Sequence, residues 1–386
     1  MTSPTRGFET SEFEARVAGG QAMMADARLD ALLLTTEPEI RYYTGFLTRF
    51  WESPTRPWFL VLPAAGAPIA VIPSIGAHLM GQSWVQDIRT WAAPDYRDDG
   101  IGLLSETLRE VCGPNGRIGL ADAMESHVRM PLASLRNLET LLDGRALVGD
   151  AEITRRLRLV KSDSEIAKIR QAIDIGTRAF ARVPEIAQTG TPLSQVFREF
   201  QALCLQEGAD WVPYLAGAAG PGGYGDVISP ATDAPLTAGD VLMLDTGLVW
   251  DGYFCDFDRN FALGPAAPEI ASAHARLVEA TAAAFEIARP GAVIADLFHA
   301  MQKIADPDGA AGEAGRLGHG LGMQLTEWPS IIAADRTELV PGMVLTLEPS
   351  VALPGGKLMV HEENIVIREG GAEWLTIPDT ASVRVI

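Results

Sequence analysis

The chain has 386 residues, 47% of them apolar and 21% charged, which fits a folded globular protein long enough for two domains. Fifty acidic against 31 basic residues give a formal charge of −19, which opposes nucleic acid and anionic membranes as partners. Cys112, Cys204 and Cys255 are few and far apart, which argues against a disulfide framework and against a thiolate zinc site.

The first residues, MTSPTRGFETSEFEARVAGG, hold no apolar core of a secretion signal, and no run of 18 apolar residues follows, so a cytoplasmic location is expected. Residues 11–28 have the pattern of an amphipathic helix, and LDALLLTT (29–36) that of a buried strand. LTRFWESPTRPWF (47–59) then gathers Arg49, Trp51, Arg56 and Trp58 in a loop, a composition found at interfaces and pockets but also in the packing of a small domain. FLVLP (59–63) and APIAVIP (67–73) read as paired strands and RIGLAD (117–122) as another. Strands alternating with helices predict an α/β domain over 1–155, with a second domain over 156–386.

The second domain opens with SDSEIAKIRQAIDIGTRAF, where Ser162 and Glu165 form a capping-box pattern and Ile166, Ile169, Ile173 and Phe180 recur at helical spacing. Further helices are expected at 193–207, 267–288 and 293–305. GAAGPGGYG (217–225) reads as a tight loop, because it lacks both the Gly-Lys-Ser/Thr ending and the GxGxxG spacing of phosphate binders. Its Tyr224 is a candidate cleft residue.

MLDTGLVWDGYFCDFDRNF (243–261) puts Asp245, Asp251, Asp256 and Asp258 into an apolar hairpin. Asp251-Gly252 is a two-residue turn signal, so Asp251 needs no chemistry. Counting outward sets Trp250 opposite Tyr253, Gly247 opposite Asp256 and Asp245 opposite Asp258. Asp245, Asp256 and Asp258 then project from one face, provided that no bulge shifts the register. Arg259, the next residue, points to the other face. Crowded buried carboxylates need a counter-charge, and a divalent metal supplies one.

Such a site wants more oxygen or imidazole ligands. His319 lies between glycines in RLGHGLGMQLTEWPS (316–330), and Glu348 sits in the apolar strand PGMVLTLEPS (341–350). KLMVHEENIVI (357–367) carries His361, Glu362 and Glu363. One of the two adjacent glutamates must face away, and spacing alone does not say which.

The order LDTG, Asp eleven residues on in a DxxR context, GHGLG, TLEP and a final Glu-Asn resembles the pita-bread metallohydrolases, which include prolidase, aminopeptidase P, methionine aminopeptidase and creatinase. DALLLTTEPEIRYYTGF (30–46) and RLVKSDSEIAKIRQA (158–172) resemble the N-terminal domain and linker of the creatinase and prolidase branch. The resemblance implies a two-domain α/β protein: a creatinase-like N-terminal α/β domain and a C-terminal α+β pita-bread catalytic domain. It makes Asp245, Asp256, His319, Glu348 and Glu363 the ligands of a dinuclear centre, taking Glu363 because the last ligand precedes an Asp or Asn, here Asn364. Two divalent ions, Mn2+ first and Co2+, Fe2+ or Zn2+ as alternatives, would activate a bridging hydroxide and polarise a carbonyl, with Glu348 as general base.

Xaa-Pro peptidases of this family carry two more histidines, at positions that are Ile228 and Thr326 here. The family's arginine two residues before the last ligand would be His361, and its threonine two after the bridging aspartate is Asp258. His361 is thus a candidate acid or base and Asp258 a candidate binder of a cationic group or completer of the metal shell, or the two form an ion pair behind the ligands. Thr326 and Tyr224 are further candidate substrate contacts. The resemblance also implies a homodimer, with Trp51 near the partner's cleft. The leading expectation is a metal-dependent Xaa-Pro peptidase acting on a short peptide or other small molecule. A non-peptidic hydrolase or lyase of a small nitrogenous or sulfonium metabolite, and a non-catalytic binding protein, are the alternatives.

Overall fold

The computed structural model describes residues 3–53, 56–309 and 315–386. The chain divides into two units, Thr5–Arg158 and Leu159–Ile386. A helix, Ile153–Leu159, runs across the boundary expected from the sequence and carries the first unit to its end.

The first unit is a mixed sheet with strands β1 (Ala31–Leu34), β2 (Phe59–Pro63), β3 (Ile69–Pro73), β4 (Asp87–Trp91), β5 (Arg117–Leu120) and β6 (Ala146–Gly149), in the order β4-β3-β2-β1-β5-β6. β1 pairs antiparallel with β2 and parallel with β5, so the LDALLLTT segment lies centrally, and Ala31–Leu34 are all buried. Burial on both faces explains its unbroken apolar run. Leu33, Val61, Val71 and Ile118 pack with Leu104 and Leu108 of the helix Ile101–Val111. Trp51 is half-buried within this unit: its ring centroid is 5.6 Å from that of Trp58, and the Arg129 guanidinium lies 5.1 Å from it. Pro54 and Thr55 of the same Trp/Arg stretch lie outside the described residues.

The second unit holds two sheets. β7 (Trp211–Pro221), β8 (Asp240–Trp250), β9 (Tyr253–Phe254) and β10 (Phe257–Ala262) form the first with a short terminal strand, Arg384–Val385. β11 (His319–Gly320), β12 (Glu327–Ser330), β13 (Val344–Leu347), β16 (Glu363–Arg368) and β17 (Gly371–Trp374) form the second, in the order β12-β11-β13-β16-β17, and β14 (Ser350–Leu353) and β15 (Lys357–Val360) make a separate hairpin. The helix Asp163–Ala181 starts as its sequence predicts. Glu165 N donates to Ser162 Oγ at 3.3 Å and Ser162 N to Glu165 Oε2 at 2.9 Å. Helices Pro268–Ile287 and Ile294–Ala305 cover an apolar core that includes Leu277, Met301, Leu345 and Ile365.

Two readings of the glycine-rich run are corrected. Gly217–Pro221 is the end of β7 and not a loop. Gly217 faces Leu244, and a Cβ there would meet Met243 O at 2.4 Å, so close backbone approach selects the glycine. Tyr224, expected as a cleft residue, is 2% exposed and belongs to the apolar core. Its hydroxyl accepts from Val360 N at 2.7 Å and donates to Asn260 Oδ1 at 3.2 Å, so it is a satisfied core tyrosine.

Candidate metal centre

The aspartate hairpin has the register counted from its turn. Trp250 pairs with Tyr253, Thr246 with Phe257 and Asp245 with Asp258. Asp251 and Gly252 take φ of 48° and 79°, the left-handed values that a two-residue turn requires. Lys168 donates to Asp251 Oδ2, which adds a buried ion pair to the turn. With no bulge, Asp245 and Asp256 stay on one face. The space over Gly247 is filled by Leu325, whose Cδ1 a Cβ would meet at 2.1 Å, so only glycine fits there.

Asp256, His319 and Glu362 each bring one ligand atom to within 4.8 Å of the others, and all three are buried. His319 Nε2 is 3.3 Å from Asp256 Oδ2. On the other side of the ring Nδ1 is 2.8 Å from Gly320 O, a contact that puts the proton on Nδ1 and leaves the Nε2 lone pair for a metal. Burial, first, and the nearby Arg316 charge pull this imidazole down to about 4, so it is neutral, as a ligand must be. Asp245 lies at the same face and accepts from the Tyr214 hydroxyl at 3.0 Å through Oδ2. Asp245 Oδ1, Asp256 Oδ1 and Glu362 Oε1 are buried and accept no hydrogen bond among the described residues.

The last glutamate differs from the one first expected. Leu347 pairs with Glu363 and Thr346 with Asn364, and partners across a ladder share a face. Glu363 therefore lies on the Leu347 side, while Glu348 and Glu362, each one step on, lie on the other. Glu363 is fully buried with Oε2 3.0 Å from Arg259 Nη2, Oε1 accepting from Asp379 N at 2.9 Å, and Oε1 3.1 Å from His361 Nε2. Burial would raise its pKa, but Arg259 and His361 outweigh that and hold it at about 2. Glu363 is thus an ion-paired residue, and Glu362 is the glutamate that groups with Asp256 and His319.

Taking Glu362 as the ligand also moves the position two residues before it to Val360. His361 is 0% exposed, with Nδ1 3.4 Å from Asp258 Oδ1 and Nε2 3.1 Å from Glu363 Oε1, so it sits in an ion pair behind the ligands. Burial works against its charge, but the Asp258 and Glu363 carboxylates outweigh it and raise the imidazole to about 9. Asp258, 1% exposed, spends Oδ1 on Glu362 N at 2.9 Å, while its Oδ2 is buried and accepts no hydrogen bond among the described residues.

Burial and mutual repulsion push Asp245, Asp256 and Glu362 well above the ordinary carboxylate range, and Glu348 up to about 7. The cation acting on Asp256 and Glu348 is Arg316, which is exposed, and its Nη2 reaches Thr326 Oγ1 at 3.4 Å. Thr326 thus sits half-buried beside this arginine, whereas Ile228 is 81% exposed. Four carboxylates around one neutral imidazole, three of them with an unpartnered oxygen, are a donor set for hard divalent ions.

Sequence reasoning missed three supports of this set. Tyr214 caps Asp245, and Thr346 Oγ1 accepts from His319 N at 3.1 Å. Asn364 bonds both backbone groups of Asp256, accepting from its N–H at 3.3 Å and donating to its carbonyl. The cross-strand position of Tyr214 opposite Gly247 was the available signal for the first.

Residues 167–369 match the model of metallopeptidase family M24, and 16–160 match that of the creatinase/prolidase N-terminal domain. The chain belongs to metallopeptidase family M24. It is similar to the probable dipeptidase PepE of Mycobacterium tuberculosis, 30% identical over 372 residues that cover 95% of each chain. The putative dipeptidase YkvY of Bacillus subtilis is 26% identical, over 94% of this chain and 97% of the other. Among solved structures, dipeptidase PepE from Mycobacterium ulcerans superposes with a TM-score of 0.84 at 28% identity, covering 98% of this chain and 99% of that one. A prolidase from Thermococcus sibiricus shares the fold with a TM-score of 0.86 at 22% identity, over 98% and 100% of the two chains. As an M24 member with the creatinase-type N-terminal domain, the chain is a metal-dependent peptidase. No helix among its described residues is long and apolar enough to cross a membrane.

Proposed function

We propose that this M24 peptidase is a dinuclear dipeptidase whose ions are held by Asp245, Asp256, His319, Glu348 and Glu362, with Xaa-Pro dipeptides as its preferred substrates and Mn2+ as its preferred metal. The supporting observation is the charge of the cluster. Asp245, Asp256, Glu348 and Glu362 carry four negative charges when ionised, their near cation Arg316 is exposed, and Arg259 is engaged with Glu363. One divalent ion would leave two buried charges uncompensated, a cost of several kcal/mol; two ions cancel all four. The bound ions supply a water of lowered pKa and an acid for the scissile carbonyl.

The rest falls to the chain. Glu348 is half-buried where Asp245, Asp256 and Glu362 are buried, so it faces the side from which substrate enters and is placed to take up a proton. Tyr214 fixes Asp245, and Thr346 fixes the backbone of His319. The dipeptidase reading draws on the PepE and YkvY relatives. Three buried free cysteines are consistent with a reducing, cytoplasmic setting.

With Mn2+ loaded, Ala-Pro is expected to be cleaved at least about tenfold faster than Ala-Leu in kcat/KM, a difference of roughly 1.4 kcal/mol. Equal rates would favour a dipeptidase without proline preference, the reading to which Ile228 and Thr326 point because neither offers an imidazole. No turnover of any dipeptide by protein holding two ions would favour a small non-peptidic amide. The protein is further expected to be a homodimer with Trp51 at the interface; a monomer mass by light scattering at micromolar concentration would remove that part.

A further inference from the structure

We propose that Arg259 is a positioning residue that selects which of the adjacent glutamates Glu362 and Glu363 enters the metal centre. The inference rests on the assignment of Glu362 as a ligand. Glu362 lies between β15 and β16 in a continuous register, with Glu363 opposite Leu347, Val360 opposite Ser350 and His361 N donating to Pro349 O at 3.3 Å. Two consecutive residues of the aspartate hairpin hold its own backbone polar groups. Asp258 Oδ1 accepts from Glu362 N at 2.9 Å, and Arg259 Nη1 donates to Glu362 O at 3.1 Å. Both backbone polar groups of one metal ligand are thereby tied to the strand that follows another, Asp256.

Arg259 does more with the rest of its fork. Nη1 also donates to Asp258 O at 2.6 Å, and Nη2 donates to Glu363 Oε2 at 3.0 Å and to Ile377 O at 2.9 Å. The side chain is 3% exposed. It therefore holds the carboxylate of Glu363 on one side of the segment and the carbonyl of Glu362 in the same grip. A slip of one residue here would exchange the two glutamates, because side chains alternate along the strand. Only a planar guanidinium reaches all four acceptors at once; a lysine ammonium is a point charge that can keep the Glu363 pair but not the three carbonyls.

The test is Mn2+ affinity by chelator competition, with the visible spectrum of the Co2+-loaded full chain as a second readout. Arg259→Lys and Arg259→Met, checked for folding by circular dichroism, are expected to bind Mn2+ about 10–100-fold more weakly, the usual cost of losing a group that orients a metal ligand. The Co2+ spectrum is expected to change in both. Affinity within about threefold of wild type in folded Arg259 variants, with an unchanged Co2+ spectrum, would overturn the proposal. If neither variant folds, Glu363→Gln decides: about tenfold weaker binding supports the clamp, and binding within about threefold overturns it. Glu362→Gln separates the two claims. Retained affinity there removes the ligand assignment and the clamp with it, whereas loss there beside retention in the Arg259 variants removes the clamp alone.

Discussion

Asp256→Asn is expected to abolish tight Mn2+ binding and to lower kcat/KM for a cleaved dipeptide by about 10³ or more, roughly 4 kcal/mol of transition-state stabilisation. Asp256 is 3% exposed, its Oδ1 accepts no hydrogen bond, and its Oδ2 faces the lone-pair nitrogen of His319. The amide keeps the volume but loses the charge, so the fold survives and the centre does not. Without metal, burial and the charges of Asp245 and Glu348 hold Asp256 far above its ordinary pKa, which means that its ionised form is unfavourable there. Removing that charge relieves repulsion, so the metal-free variant should melt at or above the temperature of metal-free wild type. Saturating Mn2+ has the opposite consequence. At about a hundredfold excess over Kd it stabilises the wild type by about 2.7 kcal/mol, or about 5–10 °C in Tm for a unit of this size. Calorimetry of the variant should show that shift reduced to about 2 °C or less. An intact Mn2+-dependent shift together with lost activity would place Asp256 outside the centre.

Much of this site was legible in the sequence because a hairpin turn sets parity. Asp251-Gly252 fixed the count, and the Asp245–Asp258 pairing followed two residues at a time. The N-terminal strands were legible for a simpler reason: Leu32–Leu34 and Phe59–Leu62 are buried on both faces, and only a continuous apolar run survives there. The failures share one cause, namely contacts made between segments far apart in the chain. Gly217 looked like loop because its close approach to Met243 O is invisible along the chain. Tyr224 looked available because its partners, Asn260 and Val360, lie tens of residues away. Arg259 points away from the aspartates, as its parity predicts, and its partner there is Glu363. That pairing opens the choice between Glu362 and Glu363 to an argument from charge. A buried arginine on the far face needs a carboxylate, and only one of two neighbours on a strand can supply it.

That choice carries the second large expectation: Glu362→Gln and Glu363→Gln should fail in opposite ways. Glu362 has a buried, unpartnered Oε1 beside Asp256 and His319, and its ionisation is opposed by burial and by Asp256, Glu348 and Asp245. Replacing it removes a ligand and relieves repulsion, so kcat/KM should fall by about 10³ or more while the metal-free protein keeps its Tm or gains. Glu363 is held ionised by Arg259 and His361 in full burial. Removing its charge leaves Arg259 without its partner, and breaking a buried pair from one side costs about 3–5 kcal/mol. The metal-free Tm should then drop by about 6–20 °C, while activity of the loaded enzyme falls only about tenfold through the loosened support of Glu362. Paired melting curves and kinetics on the two variants decide it. Should Glu363→Gln be the variant that loses Mn2+ and activity at unchanged Tm, Glu363 would be the ligand, the strand would run one residue out of the register drawn here, and Arg259 would face a carboxylate other than the one it holds.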